Sequence, residues 1–233
     1  LGYDTRGELI LLPYSIAWFH KIASVFGSES VTHSAVLYPA FMFGLTVIVF
    51  FFMTRKILVK SFGKRNANIT ALVASFFLSV MPPLLPRTIA GIPEKESAAF
   101  FLLFLTFYLF LLMWDADKKY LRGVYSLLAG LSTAAMALTW GGYSYIFAVI
   151  GVCLCISFVF EKIDKERLLG LLIWIISSFI IMGAFSTRYT LGNLLNSTII
   201  LLAIVPIIGA GVNLFLTKKL KNIKGLKRYS KIP

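Results

Sequence analysis

Two acidic side chains and one arginine are the residues of this sequence best suited to chemistry. Glu94 and Glu96 stand two positions apart at the end of a proline-rich stretch, and Arg87 precedes them in the same stretch, PPLLPRTIAGIPEKESAAFF (82–101). Two carboxylates at i and i+2 of an extended loop can point at one hard cation, and Mg²⁺ or Mn²⁺ prefers such oxygen ligands. The competing interpretation is that both acids only stabilise the N-terminal dipole of a helix that starts near Ser97.

A second cluster of unusual composition is TWGGYSY at residues 139–145. Its aromatic residues Trp140, Tyr143 and Tyr145 are typical of the belt that lines a membrane surface. Its paired glycines, Gly141 and Gly142, permit a tight turn or the close approach of another backbone. Both interpretations stay open from the sequence.

The elements that must position these residues are membrane helices. Hydrophobic residues make up 58% of the 233 positions and charged residues only 14%, against about 25% charged residues in a soluble domain. A spanning helix needs about 20 mostly apolar residues. We therefore predict an all-α fold, a polytopic transmembrane helical bundle of about seven spans. The predicted spans are 34–54, 67–85, 97–114, 123–140, 143–160, 168–186 and 194–217.

The distribution of basic residues predicts the orientation of the bundle. The net charge is +13, which taken alone could indicate nucleic acid. However, 18 of the 23 Lys and Arg fall in alternate loops and the tail, at 55–66, 115–122, 161–167 and 218–233. Since positive residues collect on the cytoplasmic side, these segments are predicted inside and the carboxylate pair outside, and no nucleic-acid partner is expected.

Three regions follow from this organisation. Residues 1–33 are predicted to form an outer loop with a short amphipathic helix, residues 34–217 the transmembrane domain, and residues 218–233 a basic cytoplasmic segment. The chain starts outside without an initiator Met and ends just after a basic loop. We therefore expect a fragment, with at least one helix before Leu1 and more after Pro233.

The run PRTIAGIPEKESAAFFLLFLTFYLF resembles the second outer loop and following helix of oligosaccharyltransferase catalytic subunits, especially archaeal ones. That family has an Arg–Thr or Arg–Ser, then Ala-Gly, then an acidic-x-acidic pair, then a Phe-rich helix. The corresponding residues are Arg87-Thr88, Ala90-Gly91, Glu94-Lys95-Glu96 and Phe100 onward. The stretches 37–57 and 127–147, which includes Trp-Gly-Gly, are also similar to the family.

The resemblance implies a GT-C glycosyltransferase fold, and an enzyme that carries out protein N-glycosylation. Such an enzyme transfers an oligosaccharide from a polyprenyl (dolichol) phosphate or diphosphate to Asn of an N-x-S/T acceptor, on the extracytoplasmic face of the cell membrane, with Mn²⁺ or Mg²⁺. It implies that Glu94 and Glu96 bind the metal, with Arg87 beside them. The pair is E-x-E here, where the family usually has D-x-D or D-x-E. Further acidic loops and a soluble acceptor-binding domain lie elsewhere in the family, so we expect this stretch alone to be inactive.

Two other functions remain as alternatives. Another GT-C enzyme using polyprenyl-linked sugar for lipid or polysaccharide would share the outer carboxylates and differ in its acceptor. A membrane transporter or flippase would need ionisable residues near mid-membrane, whereas the carboxylates here cluster at one surface. An upstream acidic loop and a downstream soluble domain would distinguish the protein N-glycosyltransferase from these two alternatives.

Overall fold

The computed structural model describes residues 9–222, with side chains as far as residue 217. All regular secondary structure of these residues is helical, as the long apolar runs predict. The helices are α1 (Leu11–Ala23), α2 (Val31–Ser79), α3 (Leu85–Thr88), α4 (Lys95–Asp115), α5 (Lys119–Thr139), α6 (Ser144–Val159), α7 (Lys165–Phe185), α8 (Leu191–Leu195) and α9 (Thr198–Asn222). The predicted tail 218–233 has no described side chains.

Six helices of the described chain are long and apolar enough to cross a membrane. The first of them, α2, contains both of the first two predicted spans, with a break at Gly63, whose φ is 71°. Arg55 Nε donates to Asn68 Oδ1 at 2.6 Å, although 13 residues of continuous helix would separate them by about 20 Å. The chain therefore turns back at Gly63, and the predicted transmembrane bundle is confirmed.

Two predicted spans have different ends in the structure. The second was expected to reach residue 85, but α2 ends at Ser79, because Pro82 and Pro83 cannot continue the helical hydrogen bonding. The last was expected from residue 194, but Asn196 and Ser197 interrupt it and α9 begins at Thr198. Both differences lie where a polar or proline-rich segment separates the span from the next element.

The centre of the bundle is α5, which packs between α4 and α7. Its Gly130 allows close approach, since a Cβ there would lie 2.8 Å from the carbonyl oxygen of Trp174 and closer still to Ser177 Oγ. The indole of Trp174 is fully buried and donates to Thr133 Oγ1 at 3.0 Å. Small residues and buried polar pairs of this kind hold helices together in lipid, where apolar burial contributes little to association.

Ion pairs bring the three predicted inner loops to one end of the bundle, which we name the basic end. Asp115 pairs with Lys56 at 3.0 Å and with Lys60 at 2.8 Å. Lys119 pairs with Glu166 at 2.8 Å. Loops 55–66, 115–122 and 161–167 therefore share one surface, as the alternation of basic residues predicts.

Candidate active site

The opposite end of the bundle, which we name the acidic end, carries Glu94 and Glu96. The loop before α4 returns to the start of α2, where Gly91 N donates to Val36 O at 3.0 Å. Phe100 of α4 contacts Trp140, which follows α5, with ring centroids 6.3 Å apart. The acidic loop and the Trp-Gly-Gly turn, far apart in sequence, therefore form one surface.

The two carboxylates of this surface converge on a single guanidinium nitrogen. Arg87 Nη1 lies 2.5 Å from Glu94 Oε2 and 3.5 Å from Glu96 Oε1. The hydrogen bond from Arg87 and the negative charges of both glutamates raise the pKa of the guanidinium above its ordinary value. Arg87 stays charged and lowers the repulsion that would otherwise separate two neighbouring carboxylates.

The backbone of the pair differs from the extended loop that we expected. Glu94 has extended backbone and directly precedes α4, but Glu96 lies in the first turn of that helix, which begins at Lys95 rather than near Ser97. The two side chains still meet, because Arg87 on the adjacent α3 draws both of them to one nitrogen.

The helix-dipole interpretation applies unequally to the two glutamates. The Glu94 side chain makes no capping hydrogen bond to α4, and its carboxylate is instead bound by Arg87. Glu96 occupies a first-turn position, where a negative charge stabilises the helix by about 0.3–1 kcal/mol. Stabilisation of the helix dipole therefore explains the position of Glu96, but it does not explain why the Glu94 side chain lies against Arg87.

The loop geometry that places Arg87 and Glu94 rests on two residues between them. Thr88 is buried, and its hydroxyl donates to Leu84 O at 2.9 Å, which closes the short helix α3. Gly91 has a φ of 150°, a conformation that costs little only for glycine. The sequence marks this glycine, but its hydrogen bond to α2 is not visible from spacing.

The Trp-Gly-Gly turn packs against the start of α4 through Trp140. Gly141–Tyr143 forms a short 3₁₀ turn, and the Trp140 ring lies directly over Gly142, whose Cβ would collide with it. Trp140 also stacks on Tyr145, with centroids 6.3 Å apart. The predicted tight turn is therefore confirmed, whereas the close neighbour of Gly142 is the indole ring of Trp140 and not another backbone.

Sequence reasoning missed the contribution of the segment after α7. Tyr189 lies edge-on to Tyr143, with centroids 5.3 Å apart, and its hydroxyl donates to Ala137 O at 2.6 Å. Burial raises the pKa of Tyr189 to about 12. A buried tyrosine whose hydroxyl has a backbone partner is a fixed contact, so this segment is held against the turn. No periodic or motif signal marks Tyr189 in the sequence.

The two glutamates offer part of the ligand set that a metal ion needs. Oxygen ligands that converge and stay partly solvent-accessible suit a hard cation, and the Glu94 and Glu96 side chains are 34% and 22% exposed. Within residues 9–222 there is no group of three or more His, Cys, Asp or Glu side chains that could hold a metal. The described chain can therefore offer two carboxylates, and other ligands would have to come from water, substrate or other segments.

The fold and the surface carboxylates define a polytopic membrane protein with a candidate site at one membrane face. Residues 9–227 match the family model described as oligosaccharyl transferase STT3, N-terminal. The chain belongs to this family.

Relatives and solved structures agree with this assignment. Dolichyl-phosphooligosaccharide-protein glycotransferase 1 of Pyrococcus furiosus is 31% identical over 68% of this chain and 16% of its own length. The STT3 subunit of the Saccharomyces cerevisiae glycosyltransferase is 23% identical over 89% of this chain and 26% of its own length. The chain thus spans a minor part of these relatives.

An oligosaccharyltransferase from Archaeoglobus fulgidus, solved as a complex with Zn and sulfate, has the same fold. It has a TM-score of 0.72 at 21% identity, over 97% of this chain and 29% of the other. A second structure from that organism, in complex with an inhibitory peptide and a dolichol-phosphate, has a TM-score of 0.69 at 21% identity, over 97% of this chain and 27% of the other.

Proposed function

We propose that the full-length protein to which this chain belongs is a glycosyltransferase for protein N-glycosylation. It transfers an oligosaccharide from a polyprenyl (dolichol) phosphate or diphosphate to the Asn of N-x-S/T acceptors. The observation that carries the proposal is the convergence of Glu94 and Glu96 beside Arg87 at one membrane face of an STT3-family bundle. The names of the relatives support it, as do Archaeoglobus complexes with dolichol-phosphate and with an acceptor peptide containing the NVT sequon.

Glu94 and Glu96 are proposed as ligands of a divalent cation, Mn²⁺ or Mg²⁺. Their convergent oxygens and partial exposure support this, and a related Archaeoglobus structure was solved with Zn. When bound, such a cation stabilises negative charge on oxygen atoms of the reacting groups. The contribution of this chain is to hold two carboxylates together at the membrane surface.

Arg87 is proposed to position the carboxylates and to meet the donor. One of its nitrogens contacts both glutamates, and a guanidinium has further N–H donors in a fixed planar fork. Because its side chain is 49% exposed, those donors are accessible to a phosphate group, which arginine binds well.

The acidic end is proposed to face the extracytoplasmic side of the cell membrane. The basic end gathers loops 55–66, 115–122 and 161–167, which hold 11 of the 23 Lys and Arg. Positive residues remain on the cytoplasmic side, which leaves Glu94 and Glu96 outside. Lipid-linked donor and acceptor polypeptide would then meet on that face.

The direct test of the function is transfer by the purified full-length protein. Incubated with lipid-linked oligosaccharide, Mn²⁺ and a peptide containing N-x-T, it should yield a glycopeptide detectable by mass spectrometry. The matched control peptide has Gln in place of Asn and should stay unmodified. Transfer to a lipid or to water with no glycopeptide would contradict the proposed acceptor.

A further inference from the structure

The chain itself contains two tripeptides of the form N-x-S/T. They are Asn68-Ile69-Thr70 and Asn196-Ser197-Thr198. A tripeptide of this form, with any middle residue except proline, is an acceptor of N-linked glycosylation. Only a tripeptide on the side of the membrane where transfer occurs is available to the enzyme, so the position of each one in the fold determines whether it is an acceptor.

The second tripeptide lies before the last span and not within it. The hydrophobic run predicted a span from residue 194, which would have placed Asn196 inside the membrane. In the structure α8 ends at Leu195 and α9 begins at Thr198. Asn196 and Thr198 are both exposed, whereas Leu194 and Ile200 on either side of them are buried. The tripeptide is therefore an exposed junction between two helices.

Contacts of the neighbouring segments place this junction at the acidic end. Tyr189, in the segment that leads to α8, packs on Tyr143 of the Trp-Gly-Gly turn. Helix α9 then runs to the basic end, where its Asn213 lines a pocket together with Asp164 of the loop before α7. Because α9 crosses the bundle between these two points, Asn196 lies at the end that carries the carboxylate pair.

The first tripeptide lies at the opposite, basic end. Asn68 follows the break at Gly63, and its Oδ1 accepts the hydrogen bond from Arg55 Nε. It is two residues beyond the basic loop 55–66, which the proposed orientation places in the cytoplasm. The chain thus supplies an internal control, since the same motif occurs once on each face.

The second tripeptide also lies at the depth of the carboxylates. Asn196 is two residues before the start of α9, and Glu96 is one residue after the start of α4 at Lys95. Each residue is therefore within about one helical turn, roughly 5 Å, of the point where a span begins at the acidic end. Another copy of the protein in the same membrane presents its carboxylates at the level of Asn196.

We propose that Asn196 is an N-glycosylation site of this protein, an inference that rests on the proposed function. The amide nitrogen of Asn196 forms a bond to the anomeric carbon of the oligosaccharide, and the bond from that carbon to the phosphate oxygen of the polyprenyl carrier breaks. The amide loses one proton, and the polyprenyl phosphate or diphosphate leaves with the electron pair of the broken bond. Thr198 supplies the hydroxyl that completes the acceptor motif.

Mass spectrometry of the full-length protein tests this assignment. The protein is produced in cells that make lipid-linked oligosaccharide and have no other oligosaccharyltransferase, together with a secreted reporter protein that contains N-x-T. After purification and proteolysis, the peptide with Asn196 should carry the mass of the oligosaccharide, as the reporter does. The peptide with Asn68 should have its unmodified mass.

Two neighbouring substitutions in the full-length protein form a matched pair. Thr198→Val removes the hydroxyl and keeps the side-chain shape, so modification of Asn196 should be lost. Ser197→Ala keeps the N-x-T form and should retain the modification. Neither residue belongs to the acidic loop or the Trp-Gly-Gly turn, so both variants should modify the reporter as the parent does. Thr198→Ala repeats the measurement if the valine variant does not fold.

The reporter separates failure of this assignment from failure of the proposed function. A modified reporter beside an unmodified Asn196 would overturn the assignment and leave the function intact. An unmodified reporter beside an unmodified Asn196 would contradict the proposed function and, with it, the assignment. Modification of Asn196 in the Thr198→Val variant, or equal modification of Asn68, would also overturn it, because the acceptor motif or the placement on opposite faces would then not determine the site.

Discussion

Replacing Gly142 by alanine should disturb the acidic surface without touching a carboxylate. A Cβ on Gly142 would lie 2.5 Å from Cη2 of the Trp140 ring and closer to Cε3 and Cζ3. The ring is held on its other sides by Tyr145 and by Phe100. Phe100 lies one turn after Glu96 on α4. Movement of the indole would therefore displace Phe100 and shift the start of α4, which carries Glu96.

The magnitude follows from overpacking. Adding a methyl group to a filled site costs about 1–3 kcal/mol, and a comparable loss of transition-state stabilisation lowers the rate about tenfold per 1.4 kcal/mol. We expect Gly142→Ala in the full-length protein to lower the midpoint of thermal unfolding and to reduce peptide glycosylation about tenfold. Both are measured in detergent on the same preparation.

The adjacent Gly141 supplies the matched control. A Cβ there meets nothing within 4 Å, so Gly141→Ala should retain the stability and activity of the parent. Equal thermal midpoints and equal rates for the two variants would refute the reasoning, because they would show that the Trp140 ring neither fills the space above Gly142 nor positions α4.

Three further changes test Arg87, the packing of α5 and the orientation of the bundle. Arg87→Gln should lower glycosylation about tenfold, the loss of a charge-assisted contact worth about 1.5–3 kcal/mol, and should raise the Mn²⁺ concentration required, because Arg87 holds the two carboxylates together. An unchanged rate and an unchanged Mn²⁺ requirement would mean that Arg87 has neither role. Gly130→Ala should destabilise the protein by about 1–3 kcal/mol, since its Cβ would collide with Ser177 and with the Trp174 carbonyl. Gly123→Ala on the same helix is the control, because its Cβ would meet nothing within 4 Å and the stability should not change. In intact cells an impermeant thiol reagent should label Lys95→Cys and leave Lys162→Cys unlabelled, and the reverse pattern would contradict the proposed orientation.

The spans were predictable because hydrophobic length and loop charge act locally. Each apolar run of the required length became a helix, and Gly63 reverses the chain inside the basic loop where the reversal was expected. The exact ends of the spans were harder to predict from the sequence. Pro82 and Pro83 stop α2 six residues early, and α8 ends at Leu195, so that α9 begins at Thr198, four residues after the expected start.

The candidate site was predictable in its residues and not in its geometry. The E-x-E spacing and the resemblance singled out Glu94 and Glu96, but the expected extended loop was wrong, because α4 begins between them at Lys95. Their convergence depends on Arg87, held by α3, and on Gly91, hydrogen-bonded to α2. Such long-range contacts leave no periodic signal in the sequence. The contact of Tyr189 with Tyr143 of the Trp-Gly-Gly turn leaves none either.

The proposed binding of a divalent cation by Glu94 and Glu96 is tested by the Mn²⁺ dependence of Glu96→Gln. In the full-length protein the change keeps the side-chain shape and removes the charge that a hard cation needs. Lys95→Gln in the same turn is the matched control. Glycosylation by Glu96→Gln should fall at least about tenfold and be partly restored by raised Mn²⁺, while Lys95→Gln should behave as the parent. A folded Glu94→Gln, Glu96→Gln double variant with the parent's rate and Mn²⁺ dependence would contradict it.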